Sequence, residues 1–329
     1  MKKIYMRHLF DGQCDVISGE AVNEVMDRPL LSIALPTYRY LEGIKRILCT
    51  LPLGDQRIEV VVGDDTPDDS IGAWIQGAGR LFASRLKYHH NTPALGAVPN
   101  WNDLIRRSTG KYVWLLHHDE CPIDETAVIR LLALLGQKAE MDVVLLDCVL
   151  ALGESGVNRR HMPNWMRALV ITKSPNYLLR RNLVGPASTI VIRREIYEMY
   201  DESLRWLVDV ELYKRMFAKA RRVYLAHDVT VLSFPGRLES ITASLQPDLH
   251  QIFKQERGAI YNDGGQPNGG RNAGRRGDMG RVSIVMESML WNILRGFLRL
   301  PSWLGISALP RKKVRDAWGR GLHEQICNK

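Results

Sequence analysis

Two groups of acidic and imidazole side chains follow apolar runs of this sequence, and their types suit the binding of a metal ion and a phosphate. The first group, "HHDE" at 117–120, comes directly after the run "KYVWLL". Carboxylate oxygens and imidazole nitrogens at one strand end could hold Mg²⁺ or Mn²⁺ beside a phosphate. The second group, Asp64 and Asp65, follows "IEVVVG" and opens the segment "DDTPDD". Since Asp and Pro favour turns and Asp caps helices, that segment is equally compatible with ordinary turn chemistry.

The apolar runs before both groups predict the strands that must position them. Short stretches rich in Val, Ile and Leu predict strands at 31–36, 58–65 and 111–119, with a further short strand at 85–90. Helix-like segments lie between them at about 40–51, 69–83 and 99–109. This β-α-β alternation predicts a parallel sheet covered on both faces. Ligands bind at the carboxyl ends of strands in such sheets, so we expect both groups at one edge.

The rest of the chain continues the alternation before its character changes. Asp124 caps a predicted helix that ends near Gly136, an apolar strand follows at 141–150, and 188–217 is predicted as a strand, a helix, a turn and a second helix. We therefore predict a Rossmann-like α/β fold with a mostly parallel sheet flanked by helices. The expected divisions are an N-terminal extension (1–29), the main domain (30–262), a Gly/Arg-rich linker (263–281) and a basic amphipathic, helical C-terminal tail (282–329).

Composition narrows the class of protein. The 329 residues, 45% of them hydrophobic, are enough for a large folded domain. Five cysteines without a CxxC pair favour neither a disulfide framework nor a zinc site, and the first thirty residues do not resemble a signal peptide, so we expect a cytoplasmic protein. Of the net charge of +9, residues 264–329 supply +8 through 12 Lys/Arg against 4 Asp/Glu. The main body therefore lacks the basic surface expected of a nucleic-acid-binding domain.

The basic tail has two interpretations. Its longest charge-free run, Leu300 to Pro310, has 11 residues, whereas a transmembrane helix needs about 20. The mixture of Trp, Leu and Phe with Lys and Arg suits an amphipathic helix pair at the surface of an anionic inner membrane. A helix packed on the main domain, or a contact between two copies of the chain, is the alternative.

The order and spacing of these motifs resemble the family 2 glycosyltransferases of the GT-A fold over residues 31–242. "LSIALPTYRY" is similar to the family's opening strand, "VVVGDDTPDDS" to its strand with paired aspartates, and "GAVPNWNDLIRRSTGKYVWLLHHDE" to the segment that leads to its DxD motif. The resemblance implies that the first turn touches the nucleoside and that the paired aspartates hold its base and ribose. The nucleotide-sugar residues implied in this way are Pro36, Thr37, Tyr38, Asp64, Asp65, Asn102, His118 and Arg237.

The DxD-like turn departs from the family pattern at one position. His117 stands where the motif has its first acid, and Asp119 keeps the acid that usually contacts the metal. The resemblance therefore implies Mn²⁺ or Mg²⁺ as a cofactor at Asp119. An imidazole at position 117 favours Mn²⁺ over Mg²⁺.

The segment 182–216 resembles the acceptor half of the family. The resemblance implies that Asp209 is the general base that removes the proton from the acceptor hydroxyl, with Glu211 as the runner-up. Gly185, Trp206 and Glu211 are the implied acceptor residues. From the residues alone, Asp209 is also compatible with a charge favoured at a helix N-terminus, and Trp206 with a core position.

The resemblance as a whole implies a metal-dependent, inverting glycosyltransferase of the hexosyltransferase type. Such an enzyme moves a sugar from a nucleotide diphosphate sugar to a hydroxyl of a glycan or lipid-linked acceptor, here in surface polysaccharide or glycoconjugate synthesis at the inner face of the membrane. A nucleotide-binding or inactive glycosyltransferase-like module is the alternative, which His117 keeps open. A nicotinamide-dependent oxidoreductase is disfavoured because "PTYRYLEG", and not GxGxxG, follows the first strand.

Overall fold

The protein is described here by a computed structural model, which covers residues 3–6, 28–78, 85–137, 141–152, 157–160, 167–168, 171, 178–179, 182–234 and 245–263. Within these ranges the strands are β1 (Lys3–Met6), β2 (Leu31–Thr37), β3 (Ile58–Asp64), β4 (Leu86–His90), β5 (Tyr112–Leu115), β6 (Glu120–Pro122), β7 (Val143–Leu152), β8 (Val157–Arg160), β9 (Ile190–Arg193) and β10 (Arg222–Ser233). The helices are α1 (Leu41–Leu48), α2 (Ser70–Gly77), α3 (Ala97–Arg107), α4 (Glu125–Leu135), α5 (Val208–Lys219) and α6 (Leu249–Asp263).

The strands form one mostly parallel sheet. Its order is β1-β10-β7-β9-β5-β2-β3-β4, with β6 paired to β10 and β8 paired to β7 off that path. The neighbours β5, β2, β3 and β4 are all parallel, whereas β9 is antiparallel to both β5 and β7. The predicted fold class, a mostly parallel α/β sheet flanked by helices, is therefore confirmed.

Helices cover both faces of the sheet because its central strands are apolar on both sides. All seven residues of β2 are buried. Ile33 and Leu35 pack into a core cluster with α1 and α4, while Ala34 joins the opposite cluster with α3, α5 and α6. This alternation follows from the two-residue period of a strand, and it leaves the strand ends as the places where polar side chains can gather.

The strand predicted at 111–119 is shorter in the structure. β5 ends at Leu115, and the Glu120 N–H donates to the His117 carbonyl at 3.0 Å, which closes a turn. The chain then reverses into β6, which pairs antiparallel with β10. His117, His118 and Asp119 therefore lie between two strands and Glu120 begins β6, so the "HHDE" residues form a turn, the 117–120 turn, and not the end of a long strand.

The first helix predicted within 188–217 is also wrong. One 3-10 turn, Arg194–Ile196, stands in its place. Asn102 on α3 holds the backbone of Tyr200, since its Oδ1 accepts the Tyr200 N–H at 2.8 Å and its Nδ2 donates to the Tyr200 carbonyl at 3.0 Å. These contacts hold Tyr200 in a segment that is not helical, so tertiary packing overrides the local helical pattern.

Several predicted divisions lie mostly outside the described residues. Of the N-terminal extension, β1 is described and pairs in parallel with β10 at the sheet edge. The 264–281 part of the linker and the whole tail at 282–329 are outside the described ranges. In the part of the chain that the structure describes, none of the helices combines the length and the apolar character that crossing a bilayer requires.

Helix α1 packs closely on the 117–120 turn at Gly43. A Cβ atom at this position would lie 2.2 Å from the His118 carbonyl oxygen and 2.3 Å from the Tyr40 ring. Because the His118 carbonyl belongs to the backbone, it has little freedom to move away from an added Cβ. The absence of a side chain at residue 43 therefore sets how near the helix comes to the turn.

We expect Gly43→Ala to lower the free energy of unfolding by about 1–3 kcal/mol through overpacking. This loss should outweigh the roughly 1 kcal/mol by which alanine is preferred to glycine inside a helix. Urea denaturation followed by circular dichroism measures the difference. Gly258→Ala, inside α6, is the matched control, because a Cβ there meets nothing within 4 Å. Equal stability of the two variants would contradict the packing argument.

Candidate active site

The 117–120 turn is attached to the neighbouring strand and to a serine far along the chain. The Leu116 N–H donates to the Ala34 carbonyl on β2 at 2.9 Å, which extends the β5–β2 pairing by one residue. The His117 N–H then donates to Ser188 Oγ at 2.9 Å. The Phe234 N–H, which follows β10, donates to the Asp119 carbonyl at 3.1 Å. Three separate segments thus fix the backbone of the turn.

His117 is held with one ring nitrogen free of hydrogen bonds. Its ring lies 4.7 Å from the Trp101 ring, centroid to centroid, with 32° between the planes. Nε2 is buried and has no hydrogen-bond partner. Burial lowers the pKa of His117 to about 4, although the charge of Asp119 acts in the opposite direction. A neutral imidazole with an unshared nitrogen lone pair suits metal binding.

Glu120 is a buried carboxyl group in the same turn. Burial raises its pKa well above the usual value, and the charges of Asp119 and Asp209 raise it further. Hydrogen bonds with Ser188 and Ser233 act against this rise. Its Oε2 atom is buried without a partner. The group is therefore short of compensating positive charge.

Together these side chains form a cluster that fits a divalent cation. One potential ligand atom from each of His117, Asp119 and Glu120 lies within 4.8 Å of the others. His117 Nε2 and Glu120 Oε2, which are buried without hydrogen-bond partners, are therefore candidate ligands for a cation. Carboxylate oxygens with one imidazole suit Mn²⁺ better than Mg²⁺.

His118 lies on the other side of the turn. Its Nδ1 accepts the Tyr38 N–H at 3.3 Å, and its ring meets that of Tyr40 edge-on at 5.5 Å. The predicted nucleotide-site residues His118 and Tyr38 are therefore neighbours. Tyr38 is 41% exposed, and the Arg39 guanidinium lies 5.0 Å from the centre of its ring.

The ends of β2 and β3 are joined at the same edge. Pro36 pairs with Gly63, and Thr37 with Asp64, in the strand register. The Thr37 carbonyl accepts the Asp65 N–H at 3.0 Å, and Thr37 Oγ1 is buried without a hydrogen-bond partner.

A cavity opens beside these two strand ends, between the loops that lead into α1 and α2. Its volume is about 310 Å³, and it is lined by Arg39, Leu41, Thr66, Pro67, Asp68 and Ser70. Arg39 links the two loops, since its backbone N–H donates to Thr66 Oγ1 at 2.9 Å. The φ of Arg39 is 51°, an uncommon conformation for a residue with a side chain, so the backbone is strained at this residue.

The carboxyl groups of Asp64 and Asp65 are both buried and hydrogen-bonded. Asp64 accepts the Thr66 N–H and the Tyr88 hydroxyl, each at 2.8 Å. Asp65 accepts the backbone N–H groups of Leu95 and Gly96 at 3.1 and 2.9 Å, and the Asn91 side chain at 2.9 Å. Asp65 thus orders the 91–96 loop beside β3. These contacts exceed the ordinary turn chemistry that the sequence left open.

Asp209 lies in the first turn of α5 with one oxygen unpartnered. Its Oδ1 is buried without a hydrogen bond. Burial raises the pKa of Asp209 to about 7, and a hydrogen bond from the Ala187 N–H limits the rise. A carboxyl group with a pKa near neutrality is suited to accept a proton.

The 3-10 turn Ala187–Thr189 connects Asp209 with the 117–120 turn. Its first residue gives the N–H that reaches Asp209. Its second, Ser188, accepts from the His117 N–H and hydrogen-bonds Glu120. The Trp114 Nε1–H on β5 donates to the Ser188 carbonyl at 2.8 Å and so secures the turn to the sheet. Ser188 carried no chemical signal in the sequence, because its partners lie about seventy positions away.

The other predicted acceptor residues have different surroundings. Glu211 is held by Arg215, which donates to both of its carboxylate oxygens at 2.6 and 2.7 Å. Gly185 has a φ of 116°, and its carbonyl accepts from Tyr213 at 3.0 Å. Trp206 is partly buried against the core. Of the two candidate bases, Asp209 alone therefore has a carboxylate oxygen without a partner.

Two predicted nucleotide residues are not brought to this edge by the described structure. Asn102 is buried, and its side chain binds the Tyr200 backbone and Glu202 Oε1, the latter at 2.8 Å. Asn100, two residues earlier, faces β3 and donates to the Gly63 carbonyl at 2.9 Å. Arg237 lies outside the described residues.

Solved structures that resemble this chain include three with nucleotide ligands. S. aureus TarS in complex with UDP-GlcNAc has a TM-score of 0.51 and 16% identity over 70% of this chain and 66% of that chain, so this chain spans just under two thirds of it. Mannosyltransferase PcManGT from Pyrobaculum calidifontis, with GDP-Man and Mn²⁺, has a TM-score of 0.48 and 14% identity over 91% and 89%.

The third is glucosyl-3-phosphoglycerate synthase from Mycobacterium tuberculosis, in complex with Mn²⁺, UDP and phosphoglyceric acid. It has a TM-score of 0.47 and 17% identity over 74% of this chain and 81% of that chain. At such identities the TarS likeness shows the fold alone. No curated protein sequence matches the chain significantly.

The sequence also matches the family described as Glycosyl transferase family 2, over residues 32–200. This match takes in 169 of the 329 residues. It includes the strand ends of β2, β3 and β5 and the whole 117–120 turn. The chain belongs to Glycosyl transferase family 2.

Proposed function

We propose that the protein is an inverting, metal-dependent glycosyltransferase of the hexosyltransferase type. It moves a sugar from a nucleoside diphosphate sugar to a hydroxyl of a glycan or lipid-linked acceptor. Membership of the family supports sugar transfer. The observation that supports the finer proposal is the link between Asp209 and the 117–120 turn through Ala187 and Ser188, which is what we expect if the proposed base and the proposed cation ligands share one site.

The donor nucleotide is assigned to the ends of β2 and β3. Thr37 has a hydroxyl without a hydrogen-bond partner, and Tyr38 is partly exposed. Asp64 and Asp65 follow the neighbouring strand, and their carboxylates accept hydrogen bonds that order the loops beside it. We keep Pro36 and His118 in this group because both adjoin those residues. Asn102 is better explained as the residue that fixes Tyr200, so we do not assign it to the donor. Arg237 stays a prediction from the sequence.

A cation belongs to the cluster of His117, Asp119 and Glu120. Their geometry fits a divalent ion with mixed nitrogen and oxygen ligands. Such an ion stabilises the negative charge of a diphosphate leaving group without any proton transfer. We propose Mn²⁺ ahead of Mg²⁺, because an acid of the family's motif is replaced here by an imidazole.

Asp209 performs the proton transfer in the proposed reaction. Its free Oδ1 accepts the proton of the acceptor hydroxyl as that oxygen bonds to the anomeric carbon of the donor sugar. The bond from that carbon to the diphosphate oxygen breaks on the opposite face, so the configuration inverts. The products are the glycosylated acceptor, a nucleoside diphosphate and a protonated Asp209, which must lose its proton before the next turnover.

The acceptor and the cellular location remain predictions from the sequence. A role in surface polysaccharide or glycoconjugate synthesis agrees with a lipid-linked acceptor. The basic tail at 282–329 would bring the site to an anionic inner membrane from the cytoplasmic side. A module that binds the nucleotide without transfer is the second candidate, favoured only by His117. It is distinguished by donor binding without release of a nucleoside diphosphate.

A panel of UDP, GDP and dTDP sugars, tested for protection against thermal unfolding, is the decisive experiment. We expect at least one donor to raise the melting temperature of the full chain, and Mn²⁺ to increase the effect more than Mg²⁺. Asp119→Ala should weaken donor binding in Mn²⁺ by at least about tenfold, as expected for loss of a metal ligand. His117→Asp should reduce the preference for Mn²⁺.

Asp103→Ala serves as the control in that experiment, since Asp103 is paired with Arg107 on the exposed side of α3. If no donor protects the wild-type protein, the donor assignment fails. If Asp119→Ala binds donor and Mn²⁺ as wild type does, the cation assignment fails.

Replacement of the proposed base should separate catalysis from binding. Asp209→Asn keeps the size of the side chain but removes its ability to take a proton, so we expect kcat to fall by about 10²–10⁴-fold with donor affinity within twofold. Release of nucleoside diphosphate from the best donor of the panel measures kcat. Asp201→Asn, at an exposed acid just before α5, should leave kcat unchanged. A fully active Asp209→Asn enzyme would mean that another residue is the base.

The same group predicts the direction of the pH dependence. Because the pKa of Asp209 is raised to about 7, the carboxylate form that accepts protons becomes the major form only above that pH. We expect kcat to rise by about tenfold between pH 6 and pH 8 and then to level off. Donor affinity measured at each pH separates this effect from binding. A flat kcat over this range would argue against Asp209 as the titrating base.

A further inference from the structure

Helix α5, which carries Asp209, begins without a capping side chain of its own. The residue before its first turn is Leu207, which makes no side-chain cap hydrogen bond. The first backbone N–H groups of a helix and those just before it have no partner inside the helix, so they need acceptors from elsewhere. A buried helix start without acceptors would be unstable in its position.

The acceptor is a glutamate from the last described helix. Glu256 on α6 accepts the N–H groups of three consecutive residues: Arg205 at 2.6 Å, Trp206 at 3.1 Å to one oxygen and 3.3 Å to the other, and Leu207 at 2.8 Å. The residue is only 9% exposed. Its negative charge also lies at the N-terminal end of α5, where the helix dipole favours it. Both helices are thereby tied at a single carboxylate.

A second contact ties the two helices farther along. Lys214 Nζ on α5 donates to the Ile260 carbonyl on α6 at 3.2 Å. The body of α5 is also anchored in the core, since Leu212, Tyr213, Met216 and Phe217 are fully buried. The middle of the helix therefore has other supports. The first turn is also packed, since Val208 and Val210 are buried, and Glu256 adds hydrogen bonds to the backbone that leads into it.

We propose that Glu256 is a positioning residue for the base: it fixes the first turn of α5 and thereby the place of Asp209 and Trp206 in the acceptor half of the site. This inference rests on the proposed function. Asp209 is two residues beyond Leu207, so any movement of the 205–207 backbone moves its carboxylate. The donor half, built from β2, β3 and the 117–120 turn, has no described contact with Glu256. Loss of Glu256 therefore acts on turnover and leaves donor binding intact.

The test compares full-length wild type with Glu256→Gln, Glu256→Ala and the control Gln255→Ala, an exposed neighbour on the same helix. Glu256→Gln is isosteric and keeps one oxygen acceptor, so it should fold. Hydrogen exchange by mass spectrometry reports on amides 205–207. UDP affinity in Mn²⁺, measured by calorimetry, reports on the donor half. Release of nucleoside diphosphate from the best donor sugar gives kcat and KM.

The expected result is a graded loss confined to catalysis. Exchange at 205–207 becomes faster in both Glu256 variants and not in Gln255→Ala, while UDP affinity stays within twofold of wild type. We expect kcat to fall about tenfold in Glu256→Gln and about a hundredfold in Glu256→Ala, the scale of a misplaced catalytic group. The KM for the donor should change little.

Three results would overturn the inference. Unchanged exchange at 205–207 would mean that the carboxylate does not hold these amides. A kcat within twofold of wild type in both variants would mean that the contact does not position the base. A parallel loss of UDP affinity and kcat in Glu256→Gln would assign Glu256 a general structural role. If wild type releases no nucleoside diphosphate from any donor, the proposed function itself fails, whereas faster exchange in the variants would still confirm the contact.

Discussion

The hydrogen bond from the His117 N–H to the Ser188 hydroxyl joins the two halves of the site. One partner follows the central strand β5, and the other belongs to the turn that enters β9, which is antiparallel to β5. Since Ser188 also bonds Glu120, and its neighbour Ala187 bonds Asp209, a single short turn decides how near the base lies to the acidic cluster. The proposed base and the proposed cation ligands are therefore connected through a short turn that enters the sheet.

The same arrangement gathers carboxyl groups where little water reaches them. Glu120 feels the charges of both Asp119 and Asp209, and burial makes the ionised form of each buried carboxyl costly. Tyr197, Tyr200 and Tyr213 surround this region, and burial raises the pKa of each phenol, with further increases from Asp209. Uncharged tyrosines cannot neutralise the carboxylates. A cation and a proton are the two positive partners that such a site can take, and the proposed reaction uses one of each.

The sequence was most informative where local pattern and packing agree. β2 and β3 end within one residue of the prediction, because an apolar strand buried on both sides is marked along its whole length. Helix α4 begins as expected, since the Asp124 side chain accepts the Ala127 N–H at 2.8 Å. The 117–120 turn was singled out because four polar residues after an apolar run are conspicuous, and its role stays a prediction.

The predictions failed where distant residues decide the local structure. Local pattern favoured a helix after Arg193, but Asn102 holds Tyr200 in a segment that is not helical. Spacing could not tell that Asn100 faces β3 while Asn102 faces away, although positions two apart on a helix point in different directions. The contacts of Ser188 and Glu256 could not be predicted because each acts on backbone amides far along the chain, and such contacts leave no motif.

The attachment of α6 to α5 bears on where the catalytic unit ends. A fragment that stopped after β10 would contain every strand of the described sheet, the cation cluster and Asp209, and would appear complete by comparison with the matched family segment at 32–200. It would nevertheless lack Glu256, which accepts the backbone N–H groups of residues 205–207. If Asp209 is the base, as proposed, a fragment made to study that role should extend past β10 far enough to include Glu256.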